Sequence, residues 1–213
     1  MSHGAYLPAA GQDYLLPLYD PLVKLLGADR ARKKLFDQAK VLPQHRVLDI
    51  GCGTGTFAVA LKGWLPTLGV VGLDPDPKAL ERGRRKAARM GASIRFDQGF
   101  ANALPYPDAS FDRVFSSLMF HHLPREAKLP TLREVRRVLK PGGSLHLLDF
   151  EQEGAHSHNP LARWLHASER LKDNRSEQIR NWMREAGFVA PEIVDSDQPI
   201  FGRIVYLAAR CPT

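Results

Sequence analysis

The segment from Val47 to Thr56 most constrains the fold, because it combines an apolar run, one acidic residue and three alternating glycines. The apolar residues before the first glycine are typical of a parallel β-strand that is covered on both faces. Gly51, Gly53 and Gly55 permit backbone conformations, and a close ligand approach, that a Cβ atom would obstruct. A helix is expected to begin near Thr56. The segment therefore predicts a strand, a glycine turn and a helix of an α/β fold.

A second apolar stretch, from Val70 to Leu73, ends in Asp74. One helix and one return strand fit between the glycine turn and this residue. An acidic side chain at the end of that strand can accept hydrogen bonds from a ribose. The pattern therefore predicts a cofactor that contains a nucleoside.

Strand and helix patterns alternate along the chain, which predicts a mostly parallel sheet. We predict strands near residues 46–50, 69–74, 93–97, 111–118 and 143–150, and helices near 56–64, 77–90 and 125–140. The third helix is expected to turn its basic residues outward and to stop at Pro141 to Gly143. Residues 160–187 look helical with an interruption near residues 173–174, and residues 189–195 and 203–209 add two strands.

Two kinds of cofactor fit a glycine turn that is followed by an acidic residue. A dinucleotide requires a third glycine three positions after the second, whereas these glycines alternate. Asp49 also lies two residues before the turn, where a carboxylate would repel a pyrophosphate. The segment instead resembles the first motif of class I S-adenosylmethionine-dependent methyltransferases. In that setting Asp49 can favour the amino group or the sulfonium of a cationic cofactor.

Further segments extend this resemblance to the methyltransferases that include the ubiquinone and menaquinone C-methyltransferases. Residues 102–114 and 118–123 resemble the approach to the fourth strand of that family and the end of that strand. Residues 132–143 resemble its next amphipathic helix and glycine stop. Together these motifs cover roughly residues 45–150, with weaker similarity at residues 186–188 and 205–209. The resemblance implies a Rossmann-like doubly wound α/β sheet, mostly parallel, with an antiparallel strand near the C-terminus.

The resemblance also implies a site for S-adenosylmethionine. The glycine turn would lie against the methionine part of the cofactor, Asp74 would hold its ribose, and Phe100 and Ala101 would border its adenine. The predicted cofactor-binding residues are Asp49, Gly51, Cys52, Gly53, Gly55, Asp74, Pro75, Phe100, Ala101 and Ser117. Cys52 is interpreted as a small residue of the turn.

Phe100 departs from the pattern of the family. Relatives often have an acidic residue immediately before Ala101, where it meets the adenine amino group. Phe100 either stacks on the adenine ring, while backbone groups near residues 101–102 bind its edge, or points into the core. In both cases adenine recognition must differ from that of the relatives.

Histidines follow two of the predicted strands. His121 and His122 come directly after the fourth strand, at the strand end where open α/β sheets bind ligands. Either is a candidate general base for deprotonating the acceptor, or both serve packing and hydrogen bonding. His156 and His158 follow the fifth strand and could shape the acceptor pocket. No zinc-like spacing is present, so we predict no metal site.

The length and composition fit one α/β domain with an extension before it. We predict a helical extension or lid at residues 1–44, including a helix over 29–39, and a cofactor-binding methyltransferase domain at residues 45–213. Tyr14 and Tyr19 of the extension, together with His158, are the predicted substrate contacts, although the tyrosines could instead pack the extension onto the core. The sequence shows no signal peptide or membrane span, and two cysteines suit a reducing cytoplasm.

The net charge of +7 is concentrated partly between Lys78 and Arg89. Such a cluster permits RNA binding, but charge runs on helices are usually solvated faces. The predicted function is methyl transfer to carbon or oxygen of a small molecule, possibly quinone-like or lipid-like. An RNA methyltransferase and a non-catalytic cofactor-binding subunit are the alternatives. The oligomeric state stays open.

Overall fold

A computed structural model of the protein describes residues 28–151, 174–199 and 202–213. Within these residues the strands are β1 (Arg46–Ile50), β2 (Gly69–Asp74), β3 (Arg95–Gln98), β4 (Phe111–Ser117), β5 (Leu139–Phe150), β6 (Val189–Asp197) and β7 (Ile204–Arg210). The helices are α1 (Ala28–Gln38), α2 (Thr56–Trp64), α3 (Pro77–Arg89), α4 (Arg125–Val138) and α5 (Ser176–Glu185), with a 3₁₀ turn at Phe120–His122. This part of the chain contains no helix that is long and apolar enough to cross a membrane.

The seven strands form one sheet in the order β3-β2-β1-β4-β5-β7-β6. The first five run parallel, and β7 pairs antiparallel with both β5 and β6. Alternate residues of the central strand β1 enter different apolar cores: Leu48 and Ile50 pack in one, and Val47 packs in the other. This arrangement confirms the predicted α/β sheet with antiparallel pairing near the C-terminus.

The junction between α4 and β5 differs from the prediction. The helix ends at Val138, and the strand begins at once at Leu139 rather than at residue 143. Phe111 pairs with Leu139 and Arg113 pairs with Ser144, so the register shifts across the Pro-Gly-Gly stretch. The stretch therefore forms a bulge within the strand instead of a loop before it.

Lys128 contradicts the prediction that the basic residues of α4 face outward. Its side chain is buried, and its Nζ lies 5.5 Å from the ring centre of Phe120 and 5.6 Å from that of Trp182. The same nitrogen donates to Oδ1 of Asn174 at 3.3 Å. Aromatic faces attract a cation, so a lysine can occupy this buried position between α4, the 3₁₀ turn and α5.

Helix α1 confirms the helix predicted over residues 29–39 and packs on the sheet. Leu35 is fully buried, and Nε of Arg113 donates to the carbonyl of Ala39 at 3.0 Å. Lys34 pairs with Asp195 and Asp197 of β6, each at 2.8 Å. The helix therefore joins the sheet through apolar burial and through charges at its last strand. Helix α5 lies within the predicted helical residues 160–187, of which residues 160–173 are outside the described part of the chain.

Candidate cofactor and acceptor site

The carboxyl ends of β1, β2, β4 and β5 bring most of the predicted site residues to one edge of the sheet. Asp49 lies near the end of β1, Asp74 ends β2, and Ser117 ends β4. Asp149 lies in the last turn of the ladder between β5 and β7. Parallel strands leave a crevice at this edge, which is where open α/β sheets bind ligands.

The three glycines of the turn all have positive φ angles, but their surroundings differ. A Cβ atom on Gly51 would lie 2.0 Å from Cγ of Met119, and one on Gly55 would lie 2.8 Å from the ring of Phe96. A Cβ atom on Gly53 would meet nothing within 4 Å. The sequence-based interpretation treated the three as one ligand cradle. Packing explains Gly51 and Gly55, whereas open space for a ligand lies at Gly53.

Asp74 connects the glycine turn to β2. One carboxylate oxygen accepts the backbone N–H of Gly53 at 2.8 Å, and the other accepts that of Asp76 at 2.9 Å. Burial raises the pKa of Asp74, while the two backbone hydrogen bonds oppose that shift. Each carboxylate oxygen retains a second lone pair, so Asp74 can also accept from ribose hydroxyls. The carbonyl of Pro75 beside it accepts from Nε2 of Gln98 at 3.1 Å.

Asp49 is a buried carboxyl group with an unsatisfied oxygen. Its side chain is 1% exposed, and among the described residues its Oδ2 has no hydrogen-bond partner. Burial raises its pKa to about 7, with the charge of Arg32 acting in the opposite direction and that of Asp74 raising the pKa further. A buried acidic group without a partner is costly once it ionises, and a cationic ligand would relieve that cost. Asp49 and the space at Gly53 therefore fit the methionine part of S-adenosylmethionine.

Cys52 lies beneath the glycine turn and is buried. Its Sγ would lie 2.9 Å from a Cβ atom on Gly72, so it fills the gap between the turn and β2. Burial raises the pKa of the thiol, which keeps it protonated and unreactive. These contacts agree with the interpretation of Cys52 as a small residue of the turn.

Residues 99–103 form a turn next to Asp74. The backbone N–H of Gly99 donates to the carbonyl of Asp74 at 3.2 Å, and that of Ala103 donates to the carbonyl of Phe100 at 3.1 Å. Phe100 is 37% exposed, whereas Ala101 is buried. The interpretation that Phe100 points into the core is therefore wrong, because its ring reaches the surface beside the predicted ribose-binding residue. Stacking on adenine stays a prediction.

The backbone after β4 is strained. Leu118 has a φ of 57°, a left-handed conformation that is unusual for a residue with a Cβ atom. Its N–H donates to the carbonyl of Leu148 at 2.8 Å, which holds the turn against β5. Just before it, Oγ of Ser117 accepts from Nε of Arg32 at 3.4 Å. Such strain collects at functional sites, and here it aims the following histidines over the strand ends.

His121 forms a buried dyad with Asp149. Its Nδ1 contacts Oδ1 of Asp149, and its backbone N–H donates to Oδ2 of the same carboxylate at 2.9 Å. Oδ1 also accepts the N–H of Phe150 at 2.7 Å, and Asp149 is fully buried. A carboxylate at Nδ1 favours the tautomer with a proton on that nitrogen. Nε2 of His121 is then the nitrogen able to accept a proton.

His122 differs from its neighbour. Its ring centre lies 4.0 Å from that of His121, and it is only partly buried. Tyr14, Tyr19 and His158 lie outside the described residues, so their contact with a substrate stays a prediction. The described ranges contain no group of three or more histidine, cysteine or acidic side chains that could hold a metal ion.

Both ligand-binding features, the glycine turn and Asp74, fall within residues 47–143, which match a protein family described as a methyltransferase domain. The chain carries a methyltransferase domain. Its sequence is 42% identical over 139 residues to a demethylmenaquinone methyltransferase of Deinococcus radiodurans, covering 64% of this chain and 57% of the relative. It is 40% identical over 140 residues to the ubiquinone/menaquinone biosynthesis C-methyltransferase UbiE of Xanthomonas oryzae, covering 64% and 54%.

The chain therefore spans little more than half the length of these curated relatives. The methyltransferase domain also resembles a solved structure of a SAM-dependent methyltransferase from Aquifex aeolicus. That similarity has a TM-score of 0.67 at 19% identity and covers 84% of this chain and 89% of the other. These findings confirm the class I methyltransferase fold and the resemblance to the quinone-biosynthesis group.

Two residues of this site were missed in the sequence. Asp149 ends a predicted strand, so the rule that selected His121 and His122 could also have selected it. Arg32 lies in a predicted helix before the glycine turn, and nothing in the local sequence separates it from the other basic residues of that helix. Only the packing of α1 on the sheet shows that Arg32 reaches Ser117.

Proposed function

We propose that this protein is an S-adenosylmethionine-dependent methyltransferase that acts on a small aromatic, quinone-like acceptor. The observation that carries the proposal is the buried carboxyl group of Asp49, whose unsatisfied oxygen lies two residues before a glycine turn with open space at Gly53. When bound, the cofactor supplies an electrophilic methyl group on a sulfonium. Asp49 would face its cationic methionine part, Asp74 would hold the ribose, and Phe100 with Ala101 would border the adenine.

Transfer of a methyl group forms a bond to the acceptor as the bond to sulfur breaks, so alignment and exclusion of water contribute much of the rate. A general base is needed when the acceptor must lose a proton. Nε2 of His121 is placed for that task, because Asp149 engages Nδ1. Removing a proton from a ring hydroxyl activates either that oxygen or the adjacent ring carbon toward methylation. His121 can therefore serve both C- and O-methylation.

The names of the two curated relatives support a quinone-related acceptor. We propose that residues 1–44 form a lid over residues 45–213, and that Tyr14, Tyr19 and His158 contact the acceptor. An apolar ring fits aromatic lid residues better than a charged substrate would. The two free cysteines among the described residues suit a reducing compartment, and we propose the cytoplasm.

The test measures the transfer of labelled methyl from S-adenosylmethionine to reduced naphthoquinols and to simple phenols. We expect label in the quinol product. His121→Gln should lower kcat by about a hundredfold if His121 is the base, whereas His122→Gln is the matched control and should retain most activity. Cofactor binding without label in any quinol or phenol would refute the acceptor class. Equal losses in the two variants would refute the role of His121.

A further inference from the structure

We propose that Arg32 binds the carboxylate of the cofactor's methionine moiety, which makes helix α1 part of the cofactor site. This inference rests on the proposed function, because it assigns a residue to one group of S-adenosylmethionine. The methionine moiety carries an ammonium, a sulfonium and a carboxylate. Asp49 suits the cationic groups, but the carboxylate requires a cation or hydrogen-bond donors of its own.

The position of Arg32 meets this requirement. Its side chain is only 11% exposed, although it belongs to a helix with several solvated basic residues. Nε donates to Oγ of Ser117, the last residue of β4, at 3.4 Å. Arg32 therefore reaches over the carboxyl end of the sheet, and its charge is felt at Asp49 on the neighbouring strand β1. The guanidinium lies where the methionine end of the cofactor is expected.

The contacts of Arg32 within the described residues leave part of the guanidinium available. Nε is taken by Ser117, and Nη1 lies 3.7 Å from a carboxylate oxygen of Asp29, which is beyond hydrogen-bond distance. No described contact uses Nη2. An arginine held at Nε can present its two terminal nitrogens to a carboxylate as a fork.

A purely structural role, as the counter-charge of Asp49, explains the observations less well. An arginine that neutralised Asp49 would hydrogen-bond to it, yet Oδ2 of Asp49 has no partner among the described residues. Two opposite charges that lie near each other without pairing suit a ligand that carries both signs. The ammonium would approach Asp49 and the carboxylate would approach Arg32.

The test compares two ligands by calorimetric titration of the whole chain. S-adenosylmethionine carries the carboxylate, and decarboxylated S-adenosylmethionine lacks only that group. Arg32→Met should weaken binding of the first about tenfold to a hundredfold, as expected for a charge-assisted pair, and should change binding of the second by less than about twofold. Arg30→Met is the matched control on the exposed face of the same helix and should leave both affinities unchanged.

The possible results separate the inference from the function on which it rests. Equal weakening of both ligands by Arg32→Met would refute the carboxylate assignment, as would unchanged binding of both. Failure of the unaltered protein to bind either ligand would overturn the proposed function itself. Arg32→Lys keeps the charge but lacks the fork, so it should bind S-adenosylmethionine with intermediate affinity. Thermal unfolding of each variant shows whether a loss of binding reflects a loss of folding.

Discussion

Single residues of the glycine turn divide into those that the fold needs and those that the ligand needs. Gly51 and Gly53 share a left-handed backbone, so alanine should cost each about 1 kcal/mol of conformational strain. Only at Gly51 does the added Cβ collide with Met119, which should destabilise the fold by roughly a further 1–3 kcal/mol.

Gly53→Ala should therefore fold nearly as stably as the unaltered protein, yet bind S-adenosylmethionine at least tenfold more weakly, because its methyl group fills the space for the ligand. Thermal unfolding and calorimetric titration of the two variants check this contrast. If Gly53→Ala bound the cofactor with unchanged affinity, the space at Gly53 would not belong to the cofactor site.

Asp49 should make the ligand-free protein sensitive to pH. Its pKa is raised to about 7, whereas an unfolded chain releases this proton near pH 4. The folded state binds the extra proton between these values, so Asp49 lowers the free energy of unfolding as pH rises from about 4 to 7. Asp49→Asn should consequently be more stable than the unaltered protein above pH 7, by a few kcal/mol, and no more stable below pH 4.

The same substitution should weaken cofactor binding, since it removes the charge that faces the methionine part. Affinity of the unaltered protein for S-adenosylmethionine should rise as pH increases toward 7 and should be flatter with pH in Asp49→Asn. Denaturant titrations and calorimetry at several pH values measure both effects. A variant that is less stable at pH 8, and that binds the cofactor as well as before, would contradict this description of Asp49.

Among the elements, helix α1 connects the segment before the glycine turn to the site. Leu35 is fully buried in its packing on the sheet, and Arg32 lies one turn earlier on the helix. Leu35→Ala should lower the free energy of unfolding by about 2–4 kcal/mol through the cavity that it leaves. It should also weaken cofactor binding, because a loosely packed α1 no longer fixes Arg32.

Lys33→Ala is the control for Leu35, because Lys33 is more exposed on the same helix. It should change the free energy of unfolding by less than about 0.5 kcal/mol. Denaturant unfolding and cofactor titration are measured for both variants. A loss of stability in Leu35→Ala without any loss of affinity would separate α1 from the cofactor site.

The elements also show what could be predicted from the sequence. Strands β1 and β2 and helix α2 agree with their predicted residues, since a continuous apolar run or a glycine turn bounds each of them. The start of β5 was missed, because Pro-Gly-Gly usually ends a helix in a loop and here forms a bulge in a strand.

Long-range packing accounts for the remaining errors and omissions. The burial of Lys128 depends on the rings of Phe120 and Trp182, which come from two other elements. The reach of Arg32 to Ser117 likewise depends on the docking of α1, which no local pattern shows. By contrast, the paired role of Asp74 follows from its place at the end of β2, where the sequence already put it.

The molecule as a whole carries a positive charge that is not needed for the proposed reaction. On α3, Arg85 is 69% exposed and pairs with Glu81 on the same helix, which is worth little in water. Lys86 instead donates to Oγ1 of Thr56 at 2.6 Å and so supports the start of α2. Arg85→Gln combined with Arg89→Gln should leave kcat/KM for the small acceptor within about twofold.

Methyl label should not enter RNA with the unaltered protein, whatever the salt concentration. Incorporation assays with total RNA and with a naphthoquinol, run side by side, provide the measurement. Labelling of RNA that falls steeply with salt, and that the double arginine variant abolishes, would favour the RNA methyltransferase that the charge of the sequence left open.

The central claim is that the edge of the sheet at the glycine turn holds S-adenosylmethionine rather than a dinucleotide. Calorimetric titration of the purified chain with S-adenosylmethionine and, separately, with NAD tests it most directly. The account predicts saturable binding of S-adenosylmethionine, weakened by Asp49→Asn, and no binding of NAD. Binding of NAD alone, or binding of S-adenosylmethionine that Asp49→Asn leaves unchanged, would contradict it.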